Sequence, residues 1–522
     1  MHMEKRCDIL VAGGSLGGVA AALTAARLGK RVILTEETDW LGGQLTSQAV
    51  SCPDENRYIE SFGCTQTYRA LRNGIRAYYR RNYPMLPHVA ANPEFNPGGG
   101  WVSRLCQEPR VAVSVIDEML APHTSTGRIE ILYRHRPIAA DVDGDTVKAV
   151  SFLCEETGET ITISATSVLD ATELGDLLPL TGTEYVSGAE SRSETGEAHA
   201  VDGPAQPENV QSFTVCFLAD YLEGEDHTID KPEGYEAYRD AVPFSWEQVA
   251  PSTLEKRTYS MFDVGQPWSE SIPLWTYRRV IDKNQFAAGA FLGDVSLINW
   301  PLNDYTGGNI IDKPASEVKR HIDAAKRQSL GLMYWLQTEA PRPDGGTGWP
   351  GLRLRGDATG TNDGLAKYPY IRESRRIVPV FRMLEQRISS EGTDAPLAEP
   401  YSDSVGIGLY RIDLHPTSGG YDFIDVGCRP YQLPLGALLP VRMKNLLPAC
   451  KNLGTTHITN GAVRLHPVEW NIGESASALA CFCNDRGIEP RAVRDDAALL
   501  KDYQALLESL GIPLEWPRMF PT

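Results

Sequence analysis

The chain has 522 residues, of which 42% are hydrophobic and 23% are charged, the composition of an ordinary soluble globular protein. This length accommodates two large domains, or one domain with a large insertion. The formal net charge of −18 argues against nucleic acid and against an anionic membrane surface as partners.

The N-terminus and the cysteines indicate the cellular compartment in which the protein is expected. The first predicted strand follows Lys5 almost directly, which leaves no room for a secretory leader, and no apolar run approaches the roughly 20 residues that span a bilayer. None of the ten cysteines belongs to a CxxC pair, so the spacings of iron–sulfur, structural zinc and redox disulfide sites are missing. We therefore expect a cytoplasmic protein with buried free thiols and neither metal nor membrane contact.

The first predicted unit is a strand over Asp8–Ala12, a glycine turn, an alanine-rich helix to Leu28 and a second strand over Val32–Thr35. Glycines in such a turn let backbone amides approach a pyrophosphate at the positive end of the helix. Glu36 follows at about the offset expected of an acid that binds a ribose. Ser15 replaces the second glycine of the fingerprint, and its hydroxyl can donate to a phosphate oxygen. The unit predicts a bound dinucleotide.

Other segments are predicted to be structural. The amphipathic pattern over Thr65–Tyr83 predicts a helix whose apolar face packs in the core, and Asp495–Leu510 predicts another helix. The polar stretch Ser187–Pro207 is typical of a loop. A second GxGxxG at residues 346–351 follows no strand and contains Pro350, so we interpret it as a loop and expect no second nucleotide domain.

Three further motifs narrow the prediction: LGGQLT at residues 41–46, VLDATELGD at 168–176, and the segment from Asn445 to Ala476. With these motifs in this order, the chain resembles the FAD-dependent oxidoreductases of the glutathione-reductase-like fold. More closely, it is similar to a bacterial family called FAD-dependent oxidoreductase, distantly related in fold to fumarate reductase and succinate dehydrogenase flavoproteins. The resemblance implies an α/β protein in which a Rossmann-like FAD-binding domain, residues 1–184 and 433–522, carries an inserted α+β substrate domain, residues 185–432.

The glycine motif and the resemblance together imply a set of FAD contacts. The sequence departs from the family pattern at Glu173, where relatives have glycine, and at Asn452, near where many carry an acid. The resemblance also implies that the helix at Gly473 points free N–H groups at the flavin, although core packing would equally suit its small residues. The expected cofactor-binding residues are Gly13, Gly14, Ser15, Leu16, Gly17, Gly18, Glu36, Glu37, Gly42, Gly43, Gln44, Leu45, Ala171, Thr172, Glu173, Asn452, Gly473, Glu474 and Ser475.

Aromatic residues are concentrated in the predicted insertion. Six of the ten tryptophans fall in a region that is rich in proline and glycine. On loops they would make stacking walls for a sugar ring or an aromatic substrate, but for any single tryptophan we favour core packing, because tryptophan is highly buried on average. The six are Trp246, Trp268, Trp275, Trp300, Trp335 and Trp349.

Histidines and arginines supply the candidate chemistry. Flavin-dependent dehydrogenation needs a group that accepts a proton as hydride leaves the substrate, and histidine titrates near the working pH. Asp413 and His415 lie in RIDLHP, and the resemblance places the loop from His457 to His466 beside the flavin. Arginine suits capture of a carboxylate or phosphate, although Arg372 is equally expected to pair with an acid of its own chain. The candidate catalytic residues are His466, His457, Arg464, Arg372 and His415.

The leading hypothesis is an FAD-dependent oxidoreductase that oxidises a small organic substrate by hydride transfer to flavin N5, with oxygen or another acceptor reoxidising the flavin. The aromatic loops favour a carbohydrate or polyol, and the arginines favour a carboxylate-bearing compound. An FAD-dependent isomerase or eliminase without net redox chemistry is the alternative, followed by a flavin-bearing binding subunit. A homo-oligomer is compatible with the sequence.

Overall fold

The structure, a computed structural model, describes residues 3–241, 244–267 and 270–517. Within these ranges no helix is both long and apolar enough to cross a membrane. The N-terminal part contains β1 Met3–Ala12, α1 Leu16–Arg27, β2 Val32–Glu36, α2 Gln66–Asn82, α3 Pro87–Ala90, α4 Pro109–Thr124, β3 Ile129–Tyr133, β4 His135–Asp143, β5 Thr146–Cys154, β6 Thr160–Asp170 and α5 Leu177–Thr181.

The middle of the chain is mostly short strands joined by loops, with one long helix. Its elements are β7 Tyr185–Val186, α6 Arg192–Thr195, β8 Phe213–Thr214, β9 Phe217–Tyr221, α7 Tyr235–Ala241, β10 Glu247–Val249, β11 Lys256–Ser260, β12 Ile272–Pro273, α8 Leu274–Tyr277, β13 Arg279–Ile281, β14 Val295–Ile298, β15 Asp304–Tyr305, α9 Ala315–Thr338, β16 Leu352–Leu354, α10 Gly356–Thr359, β17 Arg376–Ile377, α11 Glu385–Ile388, β18 Ser404–Gly408, β19 Ile412–Leu414, β20 Ile424–Val426 and β21 Tyr431–Pro434. The last part contains β22 Leu446–Pro448, α12 His457–Val463, α13 His466–Arg486, α14 Pro490–Asp495 and α15 Ala497–Ser509.

A seven-stranded sheet joins the two ends of the chain. Strands β3, β2, β1 and β6 are parallel neighbours. The second half of β6 pairs in parallel with β22, whereas its first half pairs in antiparallel with β5, which in turn pairs in antiparallel with β4. The carboxyl ends of β1, β2, β6 and β22 therefore meet at one edge, where ligands bind in open α/β sheets. The predicted Rossmann-like α/β fold is confirmed, and the division at residues 184 and 432 stays a prediction.

The inserted part has its own core around the antiparallel sheet β13–β14–β9–β16 and helix α9. The tryptophans of the insertion that the structure describes pack in or against this core, and Trp246, for example, contacts the rings of Trp335 and Trp349. Trp268 lies outside the described residues. Core packing is therefore the structural role of the described tryptophans of this run.

Two predicted helices are found close to their expected bounds. Helix α2 begins after Thr65, whose side chain accepts a hydrogen bond from Tyr68 N, and its apolar face is buried as predicted. The predicted helix over Asp495–Leu510 is displaced slightly, since Asp496 ends α14 and its side chain caps α15. The stretch Ser187–Pro207 is largely loop, with the short turn α6 inside it.

Helices α1 and α13 pack closely beneath the sheet edge. A Cβ atom at Gly473 would overlap the carbonyl oxygen of Gly17, and one at Gly17 would overlap that of Ala449. The expectation of a helix N-terminus at Gly473 is wrong, because α13 begins seven residues earlier, at His466, with Pro467 in its first turn. Gly473 is instead the position at which two helix backbones touch.

We expect Gly473→Ala to lower the free energy of unfolding by about 1–3 kcal/mol, because the added methyl group forces α13 away from α1. Gly331→Ala is the matched control: it also lies within a helix, but its Cβ would come no closer than 3.6 Å to a neighbour, so helix propensity makes it neutral or slightly stabilising. Urea unfolding of both variants measures the difference. Equal stability of Gly473→Ala and the unmodified protein would contradict the close-packing argument.

Candidate functional site

The glycine turn after β1 lies at the sheet edge. The side chain of Ser15 caps α1, since its Oγ accepts a hydrogen bond of 3.1 Å from Gly18 N. Gly13 has a φ of +99°, and a Cβ there would overlap the carbonyl oxygen of Ala171 at the end of β6. The hydroxyl that replaces the second glycine of the motif therefore has a structural role, which sequence analysis missed although serine is a preferred N-cap residue.

A cavity of about 420 Å³ opens beside this turn. Glu36, at the end of β2, accepts hydrogen bonds from Gly14 N at 3.0 Å and from Thr38 N at 2.7 Å. Burial raises the pKa of Glu36 to about 7 and that of Glu37 to about 8. The cavity is lined by Gly13, Gly14, Ser15, Glu36, Glu37, Gly43, Ser47, His135, Pro137, Ala171, Thr172, Glu173, Asp176 and Tyr368.

These residues fit the adenosine diphosphate half of a dinucleotide. The glycine turn has no side chains that would block a pyrophosphate, and the positive end of α1 lies beside it. Glu36 presents its carboxyl group at the end of the second strand. Nine of the residues predicted to bind the cofactor line this cavity: Gly13, Gly14, Ser15, Glu36, Glu37, Gly43, Ala171, Thr172 and Glu173.

A buried ion cluster lies behind the turn. Lys451 pairs with Glu173, and its Nζ lies 3.6 Å from Glu469 Oε2. Glu469 Oε1 accepts a hydrogen bond of 3.1 Å from Gly17 N, and Gln44 Nε2 donates to its other oxygen at 2.5 Å. Glu173, which departs from the expected motif, thus has a compensating lysine that sequence analysis did not single out.

The remaining predicted contacts lie outside the lining of the cavity. Helix α13 holds Gly473 against α1, Glu474 against Thr67, and Ser475 Oγ at 2.7 Å from Val405 O. Asn452 donates to Asp170 O at 3.0 Å, which ties the loop after β22 to the end of β6. The others, all buried next to the turn, are Leu16, Gly17, Gly18, Gly42, Gln44 and Leu45.

A second cavity, of about 880 Å³, is lined mainly by the insertion, together with Asp54 and Trp101 of the N-terminal part and Arg464 of the last part. We call it the inner cavity. Its wall is made of aromatic rings interrupted by charged groups. The lining residues are Asp54, Trp101, Pro251, Tyr259, Ile272, Leu274, Tyr277, Arg278, Asn299, Pro301, Tyr370, Arg372, Tyr410, Asp413, His415, Phe423 and Arg464.

Each arginine of this wall has an acidic partner. The closest nitrogen–oxygen distances are 3.5 Å for Arg278 and Asp54, 3.0 Å for Arg372 and Asp304, and 3.3 Å for Arg464 and Asp413. Burial opposes ionisation of Asp54, but Arg278 and Arg464 outweigh it, so its pKa is lowered. The guanidinium charges are therefore balanced within the chain.

His415 forms the one histidine–carboxylate pair of this wall. Its Nδ1 lies 2.5 Å from Asp304 Oδ2, while Oδ1 of the same carboxylate accepts a hydrogen bond of 2.6 Å from Thr214 Oγ1. Burial alone would raise the pKa of Asp304, but Arg372 and His415 outweigh it and lower the pKa to about 2. An ionised Asp304 keeps the proton of His415 on Nδ1, which leaves Nε2, 3.8 Å from Asp413 Oδ2, as the basic nitrogen.

The other two candidate histidines lie elsewhere. His466 is fully buried: its Nδ1 accepts from Asp54 N at 3.1 Å, and its Nε2 donates to Val50 O at 3.0 Å, so both ring nitrogens are occupied. Burial lowers its pKa. His457 pairs with Glu373 at 2.9 Å and lines a separate cavity. Of the five candidate catalytic residues, Arg372, His415 and Arg464 therefore come together, and His466 and His457 do not join them.

One short segment connects the two cavities. Tyr368 lines the first cavity and Tyr370 lines the inner cavity, and Tyr368 N donates to Ser47 O at 3.1 Å. Tyr370 in turn accepts a hydrogen bond of 2.7 Å from Arg464 Nη1. Sequence analysis missed Asp54, Arg278, Asp304 and these tyrosines, because each lies in a segment without a motif and only folding brings them to the site.

Comparisons with solved structures give weak similarities. The chain aligns with p-nitrophenol 4-monooxygenase from Pseudomonas putida DLL-E4 at 11% identity and a TM-score of 0.34, covering 98% of this chain and 88% of that one. The alignment with E. coli quinol fumarate reductase has 10% identity and a TM-score of 0.33, and it covers 97% of this chain and 74% of that one. The alignment with L-proline dehydrogenase from P. horikoshii has 15% identity and a TM-score of 0.19, and it covers 40% of this chain and only 31% of the dehydrogenase. Similarity at this level says nothing about the substrate.

No curated protein matches the chain. The family described as FAD dependent oxidoreductase matches residues 8–508, which is nearly the whole chain and includes both cavities. The protein therefore belongs to the FAD dependent oxidoreductase family, and its cofactor is FAD.

Proposed function

We propose that this protein is an FAD-dependent dehydrogenase that oxidises a hydroxyl-bearing carbon of a carbohydrate or polyol. The observation that supports this most directly is the His415–Asp304 pair on the wall of the inner cavity, where a base faces a space of ligand size. Oxygen or another acceptor then takes the electrons.

The residues that hold FAD are, in this proposal, those that line the first cavity. The glycine turn and the end of α1 receive the pyrophosphate, and Glu36 accepts hydrogen bonds from a ribose. The segment from Tyr368 to Tyr370 leads from this cavity towards the inner one. When bound, FAD supplies the acceptor for the hydride that leaves the substrate carbon.

His415 acts as the general base. Its Nε2 takes the proton of the reacting hydroxyl group, and the ionised Asp304 stabilises the positive charge that the imidazole then carries. Arg372 is a positioning residue, because its Nη1 donates to Ser212 O and Thr214 Oγ1, both at 2.9 Å, while its Nη2 lies against Asp304. This network orients the carboxylate that orients the histidine.

The balance of charge in the inner cavity favours a neutral, polyhydroxylated substrate over a carboxylate. Since Arg278, Arg372 and Arg464 each have an aspartate partner, no guanidinium requires an anion from the substrate. Alternating guanidinium donors and carboxylate acceptors suit hydroxyl groups, which both donate and accept. The aromatic rings of the wall offer faces to the apolar side of a sugar.

We expect His415→Gln to lower the rate of anaerobic flavin bleaching by substrate about 10²–10⁴-fold, because proton removal loses its base. Bound FAD, measured by its absorbance, should be unchanged. His88→Gln, an exposed histidine outside both cavities, is the control and should retain full activity. A His415→Gln protein that reduces its flavin at more than a third of the normal rate would contradict the assignment.

The substrate class has its own test. We expect at least one neutral sugar or polyol to bleach the flavin anaerobically, and matched hydroxy acids to act at least tenfold more slowly, because the guanidinium groups are already paired. A stopped-flow panel of both classes measures this. Bleaching by carboxylates alone would refute the substrate class, and turnover without any acceptor consumption would indicate the non-redox isomerase instead.

Glu36→Gln tests the ribose contact through pH. The folded pKa of Glu36 is about 7, above its ordinary value of 4.5, so protonation stabilises the folded state below pH 4.5 and this stabilisation is lost as the pH rises through 7. We expect the FAD-free Glu36→Gln protein to be more stable than the unmodified one at pH 8, by about 1–3 kcal/mol, and equal to it near pH 4. Its affinity for FAD should fall at pH 8. Parallel stability curves with no pH dependence would argue against this account.

A further inference from the structure

Trp101 lines both the inner cavity and a more open depression of about 1020 Å³. We call this depression the outer cavity, and its exposed groups are Arg57, Glu94 and Arg104. Asp54 and Glu55 are consecutive residues, and Asp54 lines the inner cavity whereas Glu55 lines the outer one.

The backbone beside Trp101 is held in place. A Cβ atom at Gly98 would overlap Arg279 O, and one at Gly100 would lie 2.7 Å from Cys106 Sγ, so both glycines are packed against their neighbours. On the other side, Val102 N donates to Tyr277 O at 3.2 Å. The ring of Trp101 lies 4.7 Å from that of Tyr277, measured between centroids. Trp101 is therefore held in place at an edge that the two spaces share.

The two cavities differ in chemistry. The inner cavity is walled by aromatic rings and balanced ion pairs. In the outer cavity Glu55 is already satisfied by Arg72 Nε at 2.8 Å and Tyr68 at 2.8 Å, which leaves the exposed side chains to meet a ligand. An open, polar surface next to an aromatic edge suits a second sugar unit, which presents hydroxyl groups outward and one apolar face to a ring.

We infer that the two cavities form one substrate site divided by Trp101, and that the preferred substrate is a glycoside with at least two units. The reacting unit occupies the inner cavity beside His415, and the next unit lies in the outer cavity against Trp101. This inference rests on the proposed oxidation of a carbohydrate and adds the length of the substrate to it. Contacts remote from the reacting carbon raise kcat/KM by tightening and aligning the substrate.

The test compares each monosaccharide that bleaches the flavin with the disaccharides and phenyl glycosides that contain the same sugar. The holoenzyme is used throughout, and the readout is the ratio of kcat/KM for the extended compound to that for the monosaccharide. We expect this ratio to reach at least tenfold for one extended compound. A ratio at or below one for every pair would overturn the inference while leaving carbohydrate oxidation intact.

Two variants locate the effect. Trp101→Ala and Arg104→Ala should each lower the ratio at least threefold, and Arg104 is exposed, so its replacement does not disturb the core. Arg81→Ala, an exposed arginine on α2 outside both cavities, is the control and should keep the ratio. A ratio that neither Trp101→Ala nor Arg104→Ala changes would overturn the placement of the second unit. If no carbohydrate of either length bleaches the flavin, the proposed function itself fails.

Discussion

The backbone contact between α1 and α13 is the constraint on which the rest of the molecule depends. It brings together two segments from opposite ends of the chain, and Gly17 N donates to Glu469 across a separation of 452 residues. Because α1 follows β1 and α13 follows β22, the contact also sets the sheet edge at which the glycine turn, the loop after β6 and the loop after β22 converge. A side chain at Gly17 or Gly473 would overlap backbone atoms and force these elements apart.

Paired charges organise the region between this edge and the insertion. Taking a guanidinium out of water is costly unless a carboxylate accompanies it, and breaking a buried pair is more costly still. Arg372 illustrates the consequence: it is nearly inaccessible, and its partners Asp304 and Thr214 come from distant segments of the same insertion, so the network ties these segments together. The same aspartate orients His415. Stability and orientation of the base thus depend on one network.

Local patterns were predicted well because they depend on neighbours in sequence. The strand, glycine turn and helix of residues 8–37, and the buried stripe of α2, follow from residue periodicity alone and are found in the structure. The start of α13 was predicted wrongly, since a glycine in a run of small residues is compatible with either a helix end or a close helix contact. Only the position of α1 distinguishes these two possibilities.

For the site, too, local features followed from the sequence and distant contacts from the tertiary structure. The sequence by itself determined the family, the dinucleotide turn with Glu36, and a short set of histidines and arginines that includes Arg372, His415 and Arg464, because motif spacing and residue chemistry are local properties. Which histidine faces a cavity was decided by the tertiary structure. His466 has both ring nitrogens hydrogen-bonded, whereas His415 receives Asp304 from 111 positions away and its other nitrogen lies 3.8 Å from Asp413 on the wall of the inner cavity. Hydrogen-bond partners so distant in the chain follow from packing, and no spacing within a segment records them.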